Sequence, residues 1–155
     1  KSKTVFLIGK HSGYHKWVLP KGLIEENEKG WQTAVRETEE EMGVKARLLE
    51  KKLIHKLSYY FYADLKNEEE TRNSKRRVKK YQEKGGQKTK VFKIVSFYIA
   101  EYQTGDPEDH DWEMSEAGWY SYDQALGLLA FKGEKQALEK AEKYLTDLEK
   151  QPKLL

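Results

Sequence analysis

The chain has 155 residues, 35% of them charged, with a net charge of +3 at neutral pH and no Cys. That length supports one hydrophobic core rather than two, so residues 1–155 are read as a single domain. No apolar run approaches the roughly 18 residues of a membrane span, which sets membrane association aside. A disulfide framework and a thiolate nucleophile are excluded, and the composition fits a reducing, cytoplasmic compartment. The charge excess alone is too small to argue for nucleic acid.

In chain order, Thr4–Gly9 has strand composition and leads through a polar loop, His11 to Lys16, to Trp17-Val18-Leu19. Pro20 and Gly22 mark a second loop. From Trp31 the apolar positions Trp31, Ala34, Val35, Thr38 and Met42 recur at helical spacing, and Gly43 is a helix stop. Residues 45–62 alternate toward a long strand or a bent pair, and residues 91–102 toward one further strand, rich in β-branched and aromatic side chains. Trp119-Tyr120 starts a short strand and Asp123–Phe131 a short helix. Glu134–Lys150 is a C-terminal amphipathic helix with Ala137, Leu138, Ala141, Tyr144, Leu145 and Leu148 inward. Strands with helices on more than one side predict an α/β fold, a mixed sheet sandwiched between helices.

The chemistry concentrates in residues 22–44, GLIEENEKGWQTAVRETEEEMGV. Glu37, Glu40 and Glu41 stand at i, i+3 and i+4, so a helix brings them to one face with Cβ atoms about 5–6 Å apart. Like charges so placed repel, and a hard divalent cation such as Mg²⁺ or Mn²⁺, which takes oxygen ligands, would relieve the conflict. Gly22 lets the backbone approach an ion or phosphate closely. Glu28 and Arg36 are too far apart for one helical turn; as a pair they would tie the loop to the helix, a supporting role.

Gly22, Glu28, Arg36, Glu37, Glu40, Glu41, Gly43 and Val44 match the Nudix box, G-x5-E-x7-R-E-U-x-E-E-x-G-U, with Thr38 where an aliphatic residue is usual. The chain therefore resembles the Nudix hydrolases. The resemblance implies an α/β/α sandwich carrying the box as loop-helix-loop, and a pyrophosphohydrolase acting on a nucleoside diphosphate linked to another group. It further implies Mg²⁺ held by Glu37, Glu40, Glu41 and the Gly22 carbonyl, with Mn²⁺ as a substitute and Glu28–Arg36 as the structural pair. Family members usually have another strand before the first one seen here, and the chain opens Lys-Ser-Lys without Met, which leaves open an N-terminus further upstream.

The general base is left open between the box, through Glu37 or Glu40, and a downstream loop. Residues 106–116 hold six acids, one His and no Lys or Arg; Glu113 and Glu116 lie there, where relatives often carry an acid facing the box. His110 in the same loop reads as solvated. Residues 72–93 hold ten Lys or Arg against one acid, Glu83. This basic hairpin or loop, near 64–90, is either a solvated tip or a cationic arm over a polyphosphate. Candidate substrate contacts are Lys21, Lys88, Lys90, Tyr60 and Tyr62. The two tyrosines stand where members acting on diadenosine polyphosphates tend to have one, and a ring there could stack on adenine. Diadenosine polyphosphate is thus the favoured substrate. An RNA 5′ end, a modified nucleoside triphosphate or an inositol pyrophosphate is an alternative, and a non-catalytic nucleotide sensor comes last because the box is intact. Oligomeric state is not legible.

Overall fold

A computed structural model describes residues 3–63, 79–82 and 89–151. In chain order these form β1 (Val5–His11), β2 (Trp17–Val18), α1 (Gly30–Met42), β3 (Val44–Leu48) and β4 (His55–Ala63). There follow β5 (Lys79–Gln82), β6 (Thr89–Phe97), β7 (Ala100–Gly105), a 3₁₀ turn at Pro107–Asp109, β8 (Met114–Ser121), α2 (Tyr122–Leu128) and α3 (Lys132–Glu149). Among the described residues the strands pair as β2-β1-β8, β3-β7 and β4-β6-β5. These ladders are antiparallel, and the parallel component is a bridge between Trp17 and Leu129. α1 packs on β3 and β8, α2 on β1 and β8, and α3 on β4, which gives an α/β fold with helices against its sheets.

The chain from 91 to 102 is not one strand. It changes partner at Tyr98–Ile99: Phe97 still accepts from Ile54 N–H at 3.0 Å, whereas Ile99 accepts from Leu49 N–H at 3.1 Å. Composition does not change across that point, so periodicity has no signal for it. Residues 45–62 are the bent pair, β3 and β4. β5 lies within the basic segment, pairing Lys79 with Phe92 and Gln82 with Thr89. Most of that segment, Lys88 included, falls outside the described residues.

α1 ends where Gly43 turns to φ 71° and donates its N–H to Glu39 O at 3.0 Å. A Cβ there would also lie 2.6 Å from Asp106 O, so glycine is required by conformation and by space. The expected apolar stripe of α1 is only half-buried; its buried residues are Thr33, Glu41 and Met42. Thr38 satisfies its hydroxyl on Ala34 O at 2.7 Å. In α3, Ala137, Leu138 and Ala141 are buried but Leu148 is 43% exposed.

Three buried clusters hold these elements together. Ile8, Ala125, Leu129 and Leu138 join β1 to α2 and α3; Val18, Met42 and Met114 join β2, α1 and β8; Val95, Phe97 and Ala137 join β6 to α3. Leu19 packs against the first and the third, which fixes the start of the loop leading to Gly22. Met42 is completely buried, and a Cβ on Gly9 would come within 2.8 Å of its sulfur, so truncating Met42 to Ala should cost about 2–5 kcal/mol. Among the described residues no helix is long and apolar enough to cross a membrane.

Candidate active site

The box separates into two electrostatic settings. In the first, Arg36 is surrounded by acceptors. Its Nε and Nη2 donate to Glu28 Oε2 and Oε1 at 2.8 and 3.1 Å, a bidentate pair, and Nη2 also donates to Leu23 O at 2.9 Å. Nη1 donates to Glu37 Oε1 at 2.7 Å and to Glu40 Oε2 at 2.9 Å. Thr33 Oγ1 and Glu25 N–H complete the shell of Glu28 Oε1 at 2.6 and 3.1 Å. With the guanidinium and these donors on it, the Glu28 carboxyl is held down to about 2. The repulsion expected between Glu37 and Glu40 is thus met here by Arg36.

The second setting lies around Glu41. Glu41 is buried on α1 and accepts from Lys21 N–H at 3.1 Å. Burial pushes its carboxyl up to about 8; the Lys21 amide opposes the rise, and the charges of Glu37 and Glu113 and a hydrogen bond with Glu113 add to it. Glu37 is also raised, chiefly by burial and against the pull of Arg36. Glu37, Glu41, Glu113, Lys21 and Gly22 line one open recess of about 340 Å³. A Cβ at Gly22 would fall inside the Glu37 carboxyl group, so any other residue there would displace that carboxyl from its present position. Among the described residues no three carboxylates have drawn together into a ready metal cage.

Glu113 reaches the recess because its loop is docked on the end of α1. Asp111 N–H donates to Glu41 O at 3.2 Å, and Ser12 N–H and Oγ hold Glu113 O at 2.8 and 3.0 Å. Glu116, three residues on, is in β8 opposite Lys10 and pairs with it at 4.0 Å; it does not line the recess. Glu40 is 54% exposed and turned to Arg36.

Beside the recess lies Glu134 in the first turn of α3, 4% exposed, which the sequence reading gave no role. It accepts from Leu19 N–H at 2.6 Å and from Lys21 Nζ at 3.4 Å. Lys93 is nearby: burial and the charge of Lys21 lower it, while Glu41 and Glu134 pull it back up. Burial, then Glu134 and Glu41, push the Tyr14 hydroxyl up to about 12, and burial and Glu134 raise Tyr59.

Within the aromatic run at 59–62, Tyr59 is the ring whose hydroxyl senses Glu134, while Tyr14 senses Glu134, Glu41 and Glu113. Strand alternation places Tyr59 and its cross-strand partner Lys93 on one face of β4–β6, and Tyr60 and Tyr62 on the other. Tyr60 packs against Phe92 with ring centroids 4.9 Å apart and planes tilted by 41°, and Lys90 Nζ lies 4.9 Å from the Tyr60 ring centroid. Of the substrate contacts read from sequence, Lys21 is at the recess, Tyr60, Tyr62 and Lys90 are on the far face, and Lys88 is outside the described residues.

An α/β fold that presents a loop-helix-loop of glutamates to an acidic recess defines the class, and comparison with known proteins gives the family. A NUDIX domain match covers residues 1–142, and the chain belongs to the Nudix family. It is 28% identical over 150 residues to a Mycobacterium tuberculosis protein that carries the name MutT4, covering 96% of this chain and 50% of that protein. Over 40 residues, 26% of this chain and 27% of the other, it is 48% identical to the asymmetrical bis(5′-nucleosyl)-tetraphosphatase of Sus scrofa. The chain thus spans about half or less of the length of these relatives. Among solved structures, the Ap4A hydrolase of C. elegans aligns with a TM-score of 0.53 and 20% identity over 91% of this chain and 86% of that one. A NUDIX hydrolase from Nitrosomonas europaea gives 0.58 and 14% over 93% and 84%, a likeness of fold.

Proposed function

We propose that the chain is a Mg²⁺-dependent pyrophosphohydrolase that cleaves a phosphoanhydride in a substrate built on a nucleoside diphosphate, with diadenosine polyphosphate the favoured substrate. The observation that carries this reading is the recess itself. Glu37, Glu41 and Glu113 share it with the Gly22 backbone, and burial raises Glu41 to about 8, which marks a place short of positive charge.

The residues fit a hard divalent cation. All the donors are oxygens, and the Glu37 carboxyl packs against the Gly22 backbone where a side chain would otherwise stand. Glu37, Glu40, Glu41 and the Gly22 carbonyl would hold Mg²⁺, or Mn²⁺ in its place; when bound it polarises the phosphoanhydride and lowers the pKa of a water. Arg36, bidentate on Glu28, is the counter-ion that Glu37 and Glu40 would exchange for it. Glu113 is the general base, taking the proton of the attacking water at its carboxylate from the loop side of the recess. Lys93, opposite Tyr59 across β4–β6, balances phosphate charge beyond the carboxylates, and the Tyr59 ring offers a stacking surface for a base. The local identity to an asymmetrical bis(5′-nucleosyl)-tetraphosphatase supports the substrate choice.

The test is a screen of purified protein with Mg²⁺ against diadenosine tetraphosphate, ADP-ribose, nucleoside triphosphates and triphosphorylated RNA, with products resolved by chromatography. ATP and a mononucleotide from diadenosine tetraphosphate are expected. Metal-dependent turnover confined to another substrate in the screen would refute the substrate choice, and no turnover of any would refute the activity.

A further inference from the structure

We propose that Glu134 is a positioning residue of this site, acting from α3 through the backbone of Leu19, Pro20 and Lys21. The inference rests on the reading that the recess is where the chemistry occurs, but the contacts that carry it are independent of any substrate. Glu134 is a carboxylate at 4% exposure, and such a group is retained in an interior only if donors compensate its lost hydration. Both donors that face it come from one short segment: the Leu19 amide at 2.6 Å and the Lys21 ammonium at 3.4 Å. The same segment's next amide, Lys21 N–H, goes to Glu41 Oε2 at 3.1 Å. Pro20 between them has no N–H. Each amide donor of Leu19–Lys21 is thus spent on a carboxylate, one on α3 and one on α1.

The segment is a strap between two helices, and Gly22 is the residue it delivers. Leu19 is gripped by its amide and also by its side chain, which packs into two clusters. From there the chain reaches Gly22 in three residues, where its backbone abuts the Glu37 carboxyl. Without the Glu134 anchor, the Lys21 amide could leave Glu41 and the Gly22 backbone could withdraw from the recess. A charge at 134 alone is not sufficient; its carboxylate must reach the Leu19 amide. The Lys21 ammonium is drawn into the same place, since it also donates to Leu19 O at 3.4 Å. Glu134 is not among the groups that line the recess and touches no reacting atom, so its effect should appear in turnover more than in substrate affinity.

Three variants test this: Glu134→Ala, Glu134→Gln, which keeps an acceptor for Leu19 N–H, and Glu134→Asp, which keeps the charge on a shorter arm. In metal-free protein, Glu134→Ala should speed hydrogen exchange of the Leu19 and Lys21 amides at least about tenfold while the β4–β6 ladder keeps its protection. Mn²⁺ affinity should fall about 10-fold, and kcat about 10–100-fold with KM within about threefold. Glu134→Gln should restore Leu19 protection and most of kcat; Glu134→Asp should resemble the Ala variant, and decides the matter if that variant does not fold. Wild-type exchange at Leu19 and Lys21 in Glu134→Asp, or a KM effect with kcat intact, would overturn the proposal. If wild-type protein turns over none of the polyphosphates, the exchange and Mn²⁺ measurements still decide the role of Glu134.

Discussion

Glu28 and Glu41 belong to one motif, yet the fold sets their carboxyls at about 2 and about 8. Around Glu28, a guanidinium, a hydroxyl and an amide converge on one carboxylate, and the region is electrically satisfied in the protein alone. Around Glu41, burial and two further carboxylates leave an unmet demand for positive charge. The difference teaches which part of an acidic loop and helix stabilises the fold and which part costs stability in order to bind. A buried carboxylate next to others is held in place by the rest of the structure, here by the Lys21 amide on its oxygen and by the core packing of the next residue, Met42.

Breaking the Glu41 region should have the largest effect on activity and little on folding. Glu41→Gln is expected to lose at least about 100-fold in kcat/KM, with metal-free thermal stability unchanged or higher. A fall in stability with activity intact would reverse the comparison. Glu113→Gln should follow, at about 10²-fold or more in kcat, while Glu116→Gln, which pairs with Lys10, stays within about twofold; a pH–rate profile of both variants checks the assignment.

Stability against pH sharpens the contrast. The Glu41 pKa is raised from 4.5 to about 8 in the fold, so the unfolded chain gives up this proton first. Its effect is to reduce stability progressively as pH rises from about 4.5 to about 8, and Glu41→Gln should flatten that part of a metal-free unfolding curve. Glu28 has the opposite sign: its pKa is lowered from 4.5 to about 2, so its contribution is complete above the upper value and lost as pH falls toward the lower. Glu28→Gln should destabilise by about 2 kcal/mol near neutrality after allowance for solvent screening, a difference from wild type that urea titrations should find vanishing near the lower value. The smallest effect is at the sheet: Tyr59→Ala should raise KM for a dinucleotide several-fold, about 1 kcal/mol or more of stacking, and Tyr60→Ala should not.

The sequence reading reached the box by spacing, since i, i+3 and i+4 are fixed by helix geometry whatever surrounds them. Its carboxylates and the two C-terminal helices were legible for the same reason, whereas strand alternation left 45–62 open between one long strand and a bent pair. Partner choice was not. Nothing in the composition of residues 91–102 says that the chain leaves β4 for β3 at Tyr98. Nor does a run of four aromatic residues say which pair faces the carboxylates; register decided for Tyr59, since Lys93 lies opposite it. Glu134 left the faintest trace, an acid in the first turn of a helix, where helix electrostatics alone would explain it. Its buried contacts are long-range, to a residue 115 positions away, and a single sequence carries no mark of them.

Leu19 packs against two of the three buried clusters and donates its amide to Glu134. Transplanting residues 22–44 alone into another scaffold would therefore move the ligands but leave their alignment behind. In engineering terms, the portable unit is larger than the motif: it includes the end of β2, the first turn of α3 and the packing that clamps one leucine between them.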